Sequence, residues 1–194
     1  PPTLGHFKCA QLILNMSKFF DEVWYMPCYS HMYNKKMVSC EQRLQMCELM
    51  TKYDKRTKVF DFEIKNKLSG ETYHTMKKIL DSELANEYDF SLIIGMDNAN
   101  TFSNWYNYKE LERLIRMVVV PRQGELPDAA VNWYLKSPHI FIQPDEKNQI
   151  PQISSTDIRG WLKEVDDRIP FLQLQKNLLP DVLNFIVTNN LYRN

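Results

Sequence analysis

The sequence predicts an α/β fold: a doubly wound parallel sheet with helices on both faces and a C-terminal helical segment. Short apolar runs alternate with stretches of helical spacing, most of those runs close on Gly or Pro, and no repeat, low-complexity tract or interdomain linker interrupts them. Alternating strands and helices imply right-handed crossovers, hence parallel pairing and a sheet buried on both sides.

Each element has its own signal. Residues 5–20 carry Phe7, Ala10 and Leu14 on one helical stripe, and "EVWYMP" at 22–27 reads as a short buried strand stopped by Pro27. After a polar loop, "CEQRLQMCELM" is helical by the spacing of Leu44, Cys47 and Met50, and "TKVFDFEI" at 57–64 is strand-like. "ETYHTMKKIL" returns to helix, "DFSLIIG" is a strand ending at Gly95, and "YKELERLI" is a helix. "RMVVVP" and the shorter "HIFIQ" are strands, and helices follow near 154–165 and 180–190.

Composition narrows the function. A chain of 194 residues with 44% hydrophobic content buries a real core, and we expect one domain over 1–194, with 154–194 as its C-terminal helical part. Lys plus Arg and Asp plus Glu both number 24, so no global field recruits a nucleic-acid backbone or an anionic membrane. Cys9, Cys28, Cys40 and Cys47 form no CxxC pair, which favours structural thiols in a reduced, cytoplasmic compartment over disulfides or a metal centre. No apolar run approaches the ~20 residues that span a bilayer.

Ligands of such sheets bind beyond the carboxyl ends of the strands. Two of the five glycines, Gly95 and Gly124, stand at predicted strand exits, where backbone can take positive φ or approach a ligand closely. Past Gly95, in "MDNANTFSNW", Asp97 can accept from a ribose hydroxyl, Asn98 can add an amide and Trp105 can stack on a flat ring; helix cap, turn and core aromatic are their structural alternatives. His31, Lys35 and Lys36 follow the first strand as candidates for an anionic group or as a solvated loop. In "PPTLGH", Thr3 and His6 open a helix whose positive end suits phosphate. In "ISSTDIRGWL", Ser154 or Ser155 can cap a helix that Ile158, Trp161, Leu162 and Val165 bury, while Ser155 and Arg159, four positions apart, can grip phosphate. Local physics allows cap and grip alike.

In this order the fragments resemble one family. "PPTLGH" is similar to the tail of the nucleotidyltransferase signature ending (His/Thr)-x-Gly-His, and "SSTDIR" to its partner Ser-Ser-Thr-x-Ile-Arg. Between them "IIGMDNANTFSNW", "TYHT" and "VVVPRQG" resemble the Gly-x-Asp…Trp, Thr-x-x-Thr and Val-x-Arg-x-Gly segments of nicotinate or nicotinamide mononucleotide adenylyltransferases. The resemblance covers nearly the whole chain. It implies a Rossmann-like fold and transfer of the adenylyl group of ATP to a pyridine mononucleotide in NAD biosynthesis, with pyrophosphate released and Mg²⁺ carried on the ATP.

Residue by residue, it implies that Thr3 and His6 hold the ATP phosphates and stabilise developing charge, with Ser154, Ser155, Thr156 and Arg159 at the β and γ end. Arg122 and Gly124 fall on the adenylate side. Gly95, Asp97, Asn98 and Trp105 belong to the ribose and ring of the mononucleotide, Thr72 and Thr75 to its amide or carboxylate, and Lys36 to its phosphate. His6, Thr3 and Arg159 are the implied catalytic set, no protein metal site is implied, and a homo-oligomer is compatible with it. Thr3 stands where many relatives carry a first histidine, and some carry threonine. The family's first strand and Gly-rich turn would precede Pro1, since a parallel sheet without its central strand leaves backbone groups unpaired. Two alternatives remain open: a nucleotide-binding module without catalysis, and transfer to another phosphorylated acceptor such as phosphopantetheine.

Stacking on Trp105 distinguishes a pyridine ring from an acceptor with no flat heterocycle. Trp105→Ala should weaken the mononucleotide roughly ten- to a hundredfold, the equivalent of ~1–3 kcal/mol of stacking, while ATP affinity hardly moves. Titration of each nucleotide alongside a melting curve checks this; an equal loss of both ligands, or a collapse of stability, would make Trp105 a core residue.

Overall fold

The computed structural model describes residues 1–16, 19–30, 37–164 and 166–193. The elements run α1 (Leu4–Asn15), β1 (Val23–Tyr25), α2 (Cys40–Thr51), β2 (Thr57–Val59), α3 (Phe62–Lys65), α4 (Thr72–Leu80) and β3 (Ser91–Gly95). They continue through α5 (Met96–Asn100), α6 (Tyr108–Leu114), β4 (Arg116–Val120), β5 (Ile140–Phe141), α7 (Ser155–Lys163), α8 (Arg168–Asn177) and α9 (Pro180–Thr188). Among the described residues all strand pairing is parallel, as the alternation requires, and it falls into two sheets, β1–β2 and β3–β4–β5. The chain divides into two compact units: Pro1–Pro27, Lys35–Ile64 and Pro151–Asn194 form the first, Cys28–Asn34 and Lys65–Ile150 the second.

In the first unit, β1 and β2 pair with Val23 opposite Thr57 and Tyr25 opposite Val59. The expected strand over 57–64 is half strand and half helical turn. Its last rung is the Phe60 amide donating to the Tyr25 carbonyl at 2.9 Å; the next donor of a parallel ladder would be residue 27, and Pro27 has no amide hydrogen, so the chain turns into α3. The expected helix over 5–20 stops at Asn15. Arg56, arriving from the loop before β2, donates to the Leu14 carbonyl at 3.0 Å and to Asn15 Oδ1 at 3.1 Å, which satisfies the carbonyl end of α1. Asp54 holds that guanidinium at 2.7 Å, and the hydrogen bonds from Arg56 keep its carboxyl below the usual range.

The core of this unit is helical. Met46 and Met50 of α2, Ile158 and Leu162 of α7, Leu174 of α8, and Val182, Leu183 and Ile186 of α9 form one buried cluster, with Leu4 and Phe7 of α1 packed against it. The expected α7 stripe is present at Ile158, Trp161 and Leu162; Val165 lies outside the described residues. Helix α8 has no counterpart among the expected elements. Its Pro170 occupies the first turn, where no intrahelical amide bond is lost.

In the second unit β4 is central, paired from Ser91–Arg116 to Gly95–Val120 on one side and at Val118–Ile140 on the other. Met117, Val118 and Val119 are wholly buried, which explains a continuous apolar run instead of alternation. Each of the four cysteines stands outside any disulfide, and burial pushes the Cys47 thiol up to about 11. Among the described residues no helix is long and apolar enough to cross a membrane.

Leu174 is fully buried at the junction of α7, α8 and α9. Leu174→Ala should remove ~2–5 kcal/mol of stability, the transfer term plus the cavity left behind. Denaturant unfolding measures it, and a loss below ~1 kcal/mol would mean that the helical layer collapses around the gap.

Candidate active site

Two helix amino termini in the first unit come together around short polar side chains. At the first, Thr3 precedes α1 and His6 is the third helical residue, the position at which Glu or Gln completes a capping box. The Thr3 amide donates to His6 Nδ1 at 3.0 Å and Thr3 Oγ1 lies 2.8 Å from the same nitrogen. A backbone amide can only donate, so Nδ1 is the acceptor and the neutral ring carries its hydrogen on Nε2. His6 is exposed and Thr3 buried.

At the second terminus, Ser154 caps α7. Its Oγ accepts from the Asp157 amide at 3.1 Å, while Asp157 Oδ2 accepts from the Ser154 amide at 3.0 Å and from its hydroxyl at 2.6 Å. These bonds hold the Asp157 carboxyl below the usual carboxylate range. Ser155 Oγ donates to the Pro1 carbonyl at 2.8 Å, tying α7 to the residues before α1. Gly5 completes the junction: a Cβ there would lie 3.3 Å from Thr3 Oγ1 and 3.6 Å from both Ile153 Cγ2 and the Pro151 carbonyl.

The cap falls to Ser154 and Asp157. Ser154 and Ser155 are engaged in structure, whereas Thr156 is exposed and accepts from Arg159 Nη2 at 2.9 Å. Thr156 and Arg159 line a cavity of about 530 Å³ together with Gly160 and Lys163 of α7. Met37, Val38 and Tyr192 form its remaining wall. None of these five was singled out from the sequence. Lys163 was legible as a basic residue one turn beyond Arg159; Tyr192, near the chain's end, carried no local signal.

The second unit holds the remaining candidates. Gly95 has an ordinary φ of −75°, so conformational freedom is not its purpose; an added Cβ would meet Asp97 Oδ1 at 2.6 Å. Asp97 Oδ2 accepts from Arg122 Nη2 at 3.1 Å, and Asn98 reaches Asp97 Oδ1 at 3.4 Å. Arg122 is also clamped by Glu125, which accepts from its amide at 3.0 Å and from Nε at 2.8 Å. Gly124 is the left-handed residue of the Arg122–Glu125 turn, with φ 82°. Glu125 escaped sequence reading because only this turn brings its carboxylate back onto Arg122.

Trp105 is half-buried, edge-on to buried Phe102 at 5.5 Å between centroids. Phe102 in turn packs on Trp133 at 4.4 Å. Thr72 is half-buried in the first turn of α4, but Thr75 is 1% exposed, in the buried row of Met76 and Ile79, which turns it away from solvent. His74 and Tyr106, unremarked in the sequence, pack ring on ring at 5.1 Å and join α4 to the segment carrying Trp105. His31, Lys35 and Lys36 lie outside the described residues. No cluster of His, Cys, Asp and Glu able to hold a metal occurs among the described residues.

The comparisons with known proteins concern the whole of this frame. A family model described as cytidylyltransferase-like matches residues 1–160. A protein of Anaeromyxobacter dehalogenans named "Probable nicotinate-nucleotide adenylyltransferase" is 29% identical over 197 residues, covering 100% of this chain and 91% of its own. One of the same name from Flavobacterium johnsoniae is 31% identical over 200 residues, covering 100% and 94%. Among solved structures, Plasmodium falciparum nicotinic acid mononucleotide adenylyltransferase complexed with NaAD superposes with a TM-score of 0.81 at 20% identity, over 99% of this chain and 92% of that one, a likeness of fold. On the matched model and the end-to-end relative, the chain belongs to the cytidylyltransferase-like family, alongside the nicotinate-nucleotide adenylyltransferases.

Proposed function

We propose that the chain joins ATP to nicotinate mononucleotide, giving the deamido form of NAD and pyrophosphate. The observation that carries this reading is the convergence of the α1 and α7 amino termini, tied by Ser155 to Pro1 and brought close by Gly5. Two sets of first-turn amides, an imidazole and a guanidinium then serve one polyanion. The names of the relatives supply the acceptor, nicotinate nucleotide.

The mononucleotide phosphate attacks the α-phosphorus of ATP, the bond to the β-phosphate oxygen breaks, and pyrophosphate leaves with the bonding pair. Such transfer needs positioning and electrostatic stabilisation, and no side-chain nucleophile. His6, fixed through Nδ1, offers its Nε2 hydrogen to charge developing on the α and β groups, and Thr3 sets the ring. Arg159 and Thr156 hold the β and γ end, while Ser154 and Ser155 shape the backbone that carries them. Arg122 and Gly124 serve the adenylate side. Gly95, Asp97, Asn98 and Trp105 serve ribose and ring, Thr72 the nicotinate carboxylate, and Lys36 the mononucleotide phosphate. Thr75, buried one turn after Thr72 in α4, belongs with it to that carboxylate.

The donors at the α1 and α7 termini are hydroxyls, an imidazole and a guanidinium, with Asp157 engaged by Ser154. That set suits a Mg²⁺ held by nucleotide phosphates and water instead of a protein carboxylate cage. Bound there, the ion would neutralise charge on the leaving pyrophosphate.

Pyrophosphate release from ATP is the test, with nicotinate mononucleotide, nicotinamide mononucleotide and phosphopantetheine as competing acceptors. Fastest release with the nicotinate form is expected; no release with any acceptor would leave a binding module. His6→Ala should lower turnover ~10²-fold or more with little change in mononucleotide affinity. Turnover within a few-fold of the parent would remove His6 from the mechanism.

Arg159→Lys keeps charge and helix but loses the fork, so KM for ATP should rise while the melting temperature stays within about 2 °C. A fall in melting temperature with intact kinetics would make Arg159 structural.

A further inference from the structure

The cavity beside α7 has more cationic character than the Ser-Ser-Thr-x-Ile-Arg match accounts for. Lys163 lies four positions after Arg159, on the same face of the helix, with about 5–6 Å between the Cβ atoms of such a pair. Both line the cavity, and among the described residues neither meets a carboxylate. Like charges one turn apart repel.

Gly160 stands between them. It weakens the helix relative to alanine, yet a Cβ there would meet nothing within 4 Å, so no neighbour demands the glycine. What its absent side chain provides is open floor between two cations. Across the cavity, Tyr192 is a bulky residue held at φ 66°, in the left-handed region that such residues avoid. Burial pushes its phenol up to about 12 against the pull of Arg159 and Arg43, so at neutral pH it is an uncharged hydroxyl beside guanidinium groups.

We propose that Lys163 is a second phosphate cation: with Arg159 it holds the terminal phosphates of ATP, and the pyrophosphate they become, over the open floor at Gly160. This rests on the adenylyltransferase reading. A diphosphate leaving group carries more negative charge than one guanidinium neutralises, and two heads one helical turn apart match two adjacent phosphoryl groups. The competing role for Lys163 is a cation that merely complements the carboxyl end of α7.

The two roles separate in the full chain. Lys163→Met should raise KM for ATP, and for pyrophosphate in the reverse direction, by about tenfold, with KM for nicotinate mononucleotide within twofold. Lys163→Arg should restore both. Gly160→Ala should raise the melting temperature and still raise KM for ATP severalfold, a pair of effects that a purely structural residue does not produce. Unchanged ATP and pyrophosphate constants in Lys163→Met, or a melting loss as its only effect, would overturn the proposal. Calorimetric binding of inorganic pyrophosphate to the parent and to Lys163→Met keeps the test independent of catalysis. If the parent releases no pyrophosphate, the adenylyltransferase reading fails, but weaker binding by Lys163→Met would still support the cation. Equal binding by the two would remove it.

Discussion

The junction of the α1 and α7 amino termini depends on how closely α1 approaches the chain just before α7, and Gly5 permits that approach. A side chain there would press on Thr3 Oγ1 at 3.3 Å, tighter than ordinary contact, and Thr3 Oγ1 is the atom lying 2.8 Å from His6 Nδ1. Any shift of Thr3 is therefore a shift of His6. Apolar burial holds the approach from beneath: Ile153, Ile158 and Leu162 are buried in the cluster on which Leu4 and Phe7 pack. Each such side chain is worth ~1.5–3 kcal/mol, whereas the Ser155–Pro1 hydrogen bond nets ~0.5–1.5. Packing brings the two termini together, and the polar ties choose their orientation.

That ranking explains why the polar residues of this stretch divide into three jobs. Ser154 and Asp157 complete a reciprocal cap, worth ~0.5–2 kcal/mol to a short helix whose inner face is already committed to the core. Ser155 is the tie. Thr156 and Arg159, one turn apart, turn toward the cavity and hold each other at 2.9 Å. A capped helix with a rigid first turn presents its remaining groups in one geometry.

The elements whose signal is local were legible: α2 and α4 by their stripes, β4 by its unbroken valines, α7 by cap and stripe. The misreadings arose where a distant residue decides. Arg56 satisfies the carbonyl end of α1 from 42 positions away, and β2 stops where the rungs offered by β1 run out. Helix α8 carries Pro170 in its first turn, where no intrahelical bond is lost, a placement that the sequence by itself does not reveal. The candidate site follows the same rule. Thr3, His6, Asp97, Trp105 and Arg159 belong to short motifs, whereas Glu125, His74 and Tyr192 owe their places to a turn, a ring contact and the path of the chain's last residues.

Arg159 of the first unit and Arg122 of the second are held in opposite ways, and the contrast bears on what each can bind. Arg159 has a hydroxyl partner and no carboxylate among the described residues, so its charge is available to an anion. Arg122 meets two carboxylates, Asp97 at 3.1 Å and Glu125 at 2.6 Å, the latter largely buried, so an added phosphate would find that charge already neutralised. Arg122 thereby becomes a rigid donor instead of an anion magnet, and it fixes Asp97 in turn. An ionised carboxylate has about four acceptor sites, and the bonds from Arg122 and Asn98 leave room for hydroxyl donors. Such a carboxylate, aimed by a clamped arginine above a glycine that leaves it space, is suited to a neutral diol; a cavity wall with Arg159 and Lys163 is suited to a polyphosphate.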